Sequence, residues 1–200
     1  MNEKFFDLKK DRQDRMINAA LKIFAMNGYK HASTDDIVAE AGISKGLLFH
    51  YFTNKLGLYT FLYDYSVRFM ALELSTGTGG EEDDFFVLLK KIEGAKMQVL
   101  RKYPYMQQFI DSIRYENVKE ALYATEEKKN VLAEAQTAVL DRADLSRFKP
   151  ETDVARLKKM IGYTVRGMMT ESFLENSFHP DMMNEEINAY FTMLKKLTYK

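Results

Sequence analysis

The sequence predicts an all-α protein, and three observations carry that expectation. Apolar residues recur at three- and four-residue spacing through most of the chain. Only three prolines and ten glycines interrupt 200 residues. Pro104, Pro150 and Pro180 fall at or near the breaks between periodic stretches, where a residue without an amide hydrogen ends or opens a helix. No stretch reads as a convincing strand. With 46% hydrophobic and 13% aromatic residues, the chain has the apolar surface to bury a substantial core, as one large domain or two small ones.

Ile17, Ala20, Leu21 and Phe24 form the apolar stripe of a first helix, with Arg12, Arg15, Asn18 and Lys22 between them. Asn27-Gly28 ends it, since these residues most easily take the left-handed conformation. Ser33 and Asp36 have the spacing of a capping box and open a short second helix carrying Ile37, Val38 and Ala41. Gly42 supplies a sharp exit, and Ser44 caps a third helix beginning at Lys45. Helix, tight glycine turn and helix within so few residues is a helix-turn-helix pattern.

Thr53 and Asn54 offer the next cap, after which Leu58, Phe61, Leu62, Tyr65, Phe69 and Leu72 trace a long fourth helix to about Leu74. The linker "STGTGGEEDD" closes it; with no strand before it and no Lys-Ser/Thr pair after it, it is a turn rather than a phosphate loop. Helical patterns continue over 84–102, 104–115, 117–142, 151–178 and 183–198, about nine helices in all. The expected organisation is a helix-turn-helix domain over residues 1–55 and a larger helical domain over 56–200.

Composition excludes several functions. Without cysteine there is no disulfide framework and no thiolate metal site, and His31, His50 and His179 are too scattered for a zinc cluster, so no cofactor is implied. No apolar run approaches the roughly 18 residues that span a bilayer, and "MNEKFFDLKKDRQDR" lacks a signal-peptide core, so a soluble, cytoplasmic protein with no membrane partner is expected. Formal net charge is zero. Residues 1–60 hold nine Lys/Arg against seven Asp/Glu, so any nucleic-acid contact must come from a few well-placed groups.

The segment "AGISKGLLFHYF" (41–52) supplies them. A helix lying in the major groove brings its N-terminal residues to base edges, while amides and polar groups around it hold phosphates. Ser44 presents its hydroxyl and the first-turn amides to a phosphate. Lys45 reaches guanine O6/N7 or a phosphate, and Gly46 lets the backbone approach the groove. Leu48 and Phe52 face inward. That leaves Leu47, Phe49, His50 and Tyr51 to divide among thymine methyls, phosphates and packing.

The run "ALKIFAMNGYKHASTDDIVAEAGISKGLLFHYFTNKLGLY" resembles the N-terminal domain of the tetracycline-repressor (TetR) family of bacterial transcription regulators. It carries the F-x-x-x-G end of helix one, the D-I-V of helix two, A-G-I-S-K-G, the aromatic cluster, and Lys55 with an apolar residue three further on. The resemblance implies that Thr34, Ser44, Lys45, Gly46, Leu47, Phe49, His50, Tyr51 and Lys55 face DNA, Lys55 holding a phosphate. Phe49 departs from the tyrosine common at its position in the family; it keeps an apolar contact and loses a hydroxyl. Beyond this segment the resemblance rests only on a helical domain of suitable length.

For the larger domain the resemblance implies a homodimer that binds a small-molecule effector and reads a palindromic operator in double-stranded DNA. Ile161, Val165 and Met168 on one long helix, with Ile187, Phe191 and Leu194 on the last, are the expected dimer interface, Gly162 and Gly167 allowing close approach. Met97, Phe109, Tyr123, Tyr163 and Met169 are the expected pocket lining for an apolar or aromatic effector, though each also suits an ordinary core. Glu171 is expected to be solvated. Ser146 and Lys149 match S-x-x-K without any accompanying catalytic motif, so no enzyme is expected. The expectation is a ligand-responsive DNA-binding regulator, a repressor released by its effector. The alternative is a helical ligand-binding or partner-docking protein that reads no DNA.

Overall fold

The computed structural model describes residues 3–200. Among the described residues the regular structure is helical, with one isolated antiparallel bridge, Phe148 to Tyr199. The α-helices are α1 (Lys10–His31), α2 (Thr34–Ala41), α3 (Lys45–Phe52), α4 (Lys55–Gly77), α5 (Phe85–Leu100), α6 (Met106–Ser112), α7 (Lys119–Thr125), α8 (Val131–Leu140), α9 (Val154–Leu174) and α10 (Pro180–Thr198). They group by packing into two compact units, one of residues 1–72 and 99–132, the other of 73–98 and 133–200.

Local sequence signals account for the ends of most elements. α1 is interrupted at Gly28 (φ 64), and one further turn follows before Ala32. The Ser33 hydroxyl accepts from the amides of Asp35 and Asp36, and Gly42 ends α2 in the left-handed conformation. Ser44 accepts from Leu47 N at 3.2 Å. Asn54, rather than Thr53, caps α4, its Oδ1 accepting from Gly57 N at 2.7 Å, while Thr53 closes α3 with φ 66.

Two expected elements change. The single helix expected over 117–142 is two, α7 and α8, separated by a short 3-10 turn, Glu126–Lys128. The intervening "EEKKN" offers no apolar face, so no side of a continuous helix there has anything to bury. The last helix begins at Pro180 rather than 183, because proline is tolerated in a first turn whose amides have no intrahelical partner.

The first unit is held by aromatic packing. Phe24, Tyr29, Tyr59 and Phe109 meet at centroid separations of 5.0 to 6.4 Å. A second cluster forms where Phe5, from a single N-terminal turn, inserts among Tyr51, Phe52 and Phe61. Phe5 is wholly buried, and Gln13 ties its turn to α1 by donating to the carbonyls of Phe6 and Leu8. Polar contacts join α1 to the 99–132 segment. The Tyr103 hydroxyl donates to Asp14 at 2.5 Å, Lys102 pairs with Asp14 at 2.9 Å, and Asn18 donates to the Lys102 carbonyl at 3.1 Å.

The second unit is pinned by Asp84. Its Oδ1 caps α5 by accepting from Phe86 N and Val87 N, and its Oδ2 receives Lys195 at 2.6 Å and Arg147 at 3.2 Å. Beside it Phe85, Phe86, Phe148 and Tyr199 pack edge to face.

Candidate nucleic-acid interface

Helices α2 and α3 present one exposed, polar end. Ser44, Lys45 and Gly46 stand exposed at the start of α3, and a side chain added at Gly46 would meet open space within 4 Å. Leu48 and Phe52 are buried beneath, so α3 is fixed to the unit by one face while its N-terminal turn stands clear. Phe52 is covered by Phe5 and Phe61. Thr34, Leu47 and Phe49 are partly exposed, and His50 is exposed with its ring edge-on to Tyr51 at 5.0 Å. The Tyr51 ring itself is buried at 7% exposure against Phe5, so packing takes most of this residue.

Lys45 does not point freely into solvent. Its Nζ lies 2.8 and 3.0 Å from the two carboxylate oxygens of Asp35 in the first turn of α2. Lys55 is half-buried: its Nζ donates to the Lys30 carbonyl at 3.3 Å and sits 4.8 Å above the Tyr29 ring. Burial lowers its pKa, partly opposed by the charges of Glu116 and Glu120. Glu116 also accepts from Tyr29 N at 2.9 Å, clipping the end of α1 to the turn before α7. Burial raises the Glu116 pKa, but the amides of Val118, Tyr29 and Asn117 outweigh it and leave the carboxyl below the usual range. Burial and the hydrogen bond to Glu120 push the Tyr29 hydroxyl up to about 12.

Sequence reasoning missed Phe5, Asp35, Gly57 and Glu116. Phe5 left a signal, two adjacent aromatic residues in a charged stretch. The others act through contacts that spacing does not show.

Of the residues expected to line an effector pocket, Phe109 and Tyr123 belong to the first unit and Met97, Tyr163 and Met169 to the second. Phe109 is core, enclosed by Phe24, Tyr59 and Tyr63, and Met97 is buried in the second unit. Tyr123 and Tyr163 are 87% and 68% exposed, and Met169 is buried. Methionines and aromatics suit a core as well as a cavity, and here packing has claimed Met97 and Phe109. Glu171 is exposed, as expected.

The six residues expected at a dimer interface do come together. Ile161, Val165, Met168, Ile187, Phe191 and Leu194 line one apolar groove of about 200 Å³ between α9 and α10. Within it Ile161, Val165, Ile187 and Phe191 are already covered by the chain's own packing. The exposed large side chains of the same groove are Met160, Tyr190 and Met193. Gly162 and Gly167 are open, with nothing within 4 Å of an added Cβ. Among the described residues no cluster of His, Cys, Asp or Glu is arranged to hold a metal, and no helix is long and apolar enough to cross a membrane.

An exposed, serine-capped helix that follows a glycine turn and is anchored by its opposite face has the geometry of a DNA-binding helix-turn-helix. Residues 16–60 match the family model described as bacterial regulatory proteins, tetR family. The fold is likewise that of solved TetR-family structures. PfmR of Thermus thermophilus, a TetR-family regulator, is 22% identical over 91% of this chain and 97% of its own, with a TM-score of 0.60. A TetR-family regulator of Chloroflexus aurantiacus is 18% identical over 100% and 98%, at 0.58. The fatty acid degradation regulator FadR of Bacillus halodurans is 19% identical over 92% and 97%, at 0.59. No curated protein matches the sequence. Residues 16–60 therefore carry a helix-turn-helix of the tetR type, and the whole chain shares the fold of these solved regulators.

Proposed function

We propose that this protein is a TetR-family transcriptional regulator, a homodimeric, cytoplasmic repressor that occupies a palindromic operator and leaves it when a small apolar or aromatic effector binds. Residues 1–55 read DNA, and residues 56–200 dimerise and receive the effector. The observation that carries the reading is the free N-terminal turn of α3, where Ser44, Lys45 and Gly46 reach the surface above a buried Leu48 and Phe52. Thr34, Leu47, Phe49 and His50 flank it, and Lys55 and the Tyr51 hydroxyl serve phosphates at its edge. Family members are generally non-enzymatic, and no catalytic role is assigned to Ser146, whose backbone carbonyl accepts from Lys200 while Lys149 donates to Leu197.

Dimerisation through the α9–α10 groove is supported by its apolar lining and by Met160, Tyr190 and Met193 standing exposed there. Release follows if the effector favours a head separation that no longer fits two half-sites about one helical turn, roughly 34 to 36 Å, or a multiple apart. Fatty acids and their thioesters belong in the first effector panel, because one protein of similar fold regulates fatty acid degradation.

Gly46→Leu tests the DNA reading directly. The added side chain begins in open space, and leucine favours a helix by about 0.5–1 kcal/mol over glycine, so the melting temperature should hold or rise. Fluorescence anisotropy on fragments upstream of the gene should show saturable wild-type binding that Gly46→Leu abolishes. Unchanged affinity in that variant would refute the placement of α3 in the groove. Binding by neither protein to any fragment in a genome-wide selection would favour the ligand-binding alternative.

A further inference from the structure

The ion pair between Lys45 and Asp35 is not explained by stability. Their side chains are 49% and 71% exposed, and an ion pair in water at that exposure adds little to a fold. Nor does α2 need Asp35 as a cap, because the Ser33 hydroxyl already takes the amides of Asp35 and Asp36. What Ser33 does is fix the first turn of α2, so that the carboxylate stands beside the start of α3. Both carboxylate oxygens lie within 3.0 Å of the ammonium that the DNA-reading role assigns to a base or phosphate.

We infer that Asp35 is a specificity-determining residue: its carboxylate holds Lys45 in the free protein, so that unrelated DNA, which only offers phosphates, gains less from that lysine than the operator does. The inference rests on the DNA-reading role proposed above.

The physical argument concerns the exchange of partners. Phosphates attract a lysine regardless of sequence, and this attraction supplies most non-specific binding. On unrelated DNA, Lys45 must leave a carboxylate to meet a phosphate, one anion for another, and Asp35 is then left unpaired beside a polyanion. The net gain is small. On the operator, guanine O6 and N7 accept from Lys45 in a defined geometry, and this readout offsets the exchange at one base pair only. A repulsive element facing the wrong partner is a general device by which specificity is gained. Asp35 is therefore a positioning residue that acts through Lys45.

The test is a double-mutant cycle on the full-length protein with Asp35→Asn, Lys45→Gln and the double variant, read by anisotropy on operator and on scrambled duplex across a salt series. Asp35→Asn should strengthen binding to scrambled DNA by roughly two- to fivefold per head, and steepen its log–log salt slope by about 0.9 per head. Operator affinity should change less, so the specificity ratio falls. In the Lys45→Gln background the gain on scrambled DNA should vanish. If the gain persists there, Asp35 acts as a general negative charge and the inference is overturned. Asp35→Asn leaving scrambled-DNA affinity unchanged overturns it equally. Thermal melts check that each variant folds. Failure of every protein, wild type included, to bind either duplex would instead refute the DNA-reading role itself, and the inference with it.

Discussion

Replacing Gly57 by alanine should damage the corner between α3 and α4 although glycine is ordinarily the poorer helix residue. A Cβ built on Gly57 lies 2.2 Å from the Phe52 carbonyl oxygen, about 1 Å inside the roughly 3.3 Å at which carbon and oxygen meet. That oxygen is backbone and already accepts from Asn54 N at 2.7 Å, so no side chain can swing aside to make room. The turn must open, straining the cap in which Asn54 Oδ1 accepts from Gly57 N. Overpacking of this kind costs about 1–3 kcal/mol and a lost cap about 1 kcal/mol, while alanine returns about 1 kcal/mol of helix propensity. The net is about 2 kcal/mol, or roughly 4 to 8 °C in melting temperature for a chain of this size. Gly94 within α5 is the matched control, since an added Cβ there touches nothing within 4 Å and Gly94→Ala should hold or raise the melting temperature. Circular dichroism melts of the two variants, with DNA affinity at a temperature where both are folded, make the comparison. Gly57→Ala melting as high as Gly94→Ala would refute the steric argument.

Two further outcomes follow from charge. Burial raises the Asp84 pKa, but Lys195 and the amides of Val87 and Phe86 outweigh it, so the carboxyl titrates below the ordinary aspartate value of 3.8. Its contribution to stability is therefore present above pH 3.8 and lost as pH falls through the lower folded value. Asp84→Asn should cost about 2 kcal/mol at about pH 7, with the difference from wild type shrinking below about pH 4 in urea titrations. Lys55→Ala should weaken operator and unrelated DNA alike and lower the salt slope by about 0.9 per head, measured by anisotropy, because a phosphate contact carries no sequence information.

What was legible in the sequence was local. Ser33, Gly42 and Ser44 act on amides and dihedral angles within three residues of themselves, so spacing alone reveals them. The break in α1 at Gly28 was readable for the same reason. Glu116 meets Tyr29 across 87 residues and Tyr103 meets Asp14 across 89, and no periodicity encodes such pairings. Asp35 and Lys45 are ten residues apart, but their meeting depends on the angle that the Gly42 turn sets between two helices. Cavity lining is unreadable for a different reason: Phe109 suits a cavity wall and a core alike, and only its neighbours show it to be core. Along α9 and α10 the periodicity collected six residues that line one groove, yet it could not separate those already covered from the exposed Met160 beside them.

The unit that carries α3 is assembled from two stretches of chain, 1–72 and 99–132. Tyr103, Phe109 and Glu116 fasten onto Asp14, Phe24 and Tyr29, so the part that matches the family model is not an independent cassette. Grafting residues 1–60 onto another protein to borrow its operator would carry the reading helix without the scaffold that steadies α1. A chimera that respects the architecture moves 1–72 and 99–132 together, its splice points lying within the run of α4, at the end of α5 and near the start of α8.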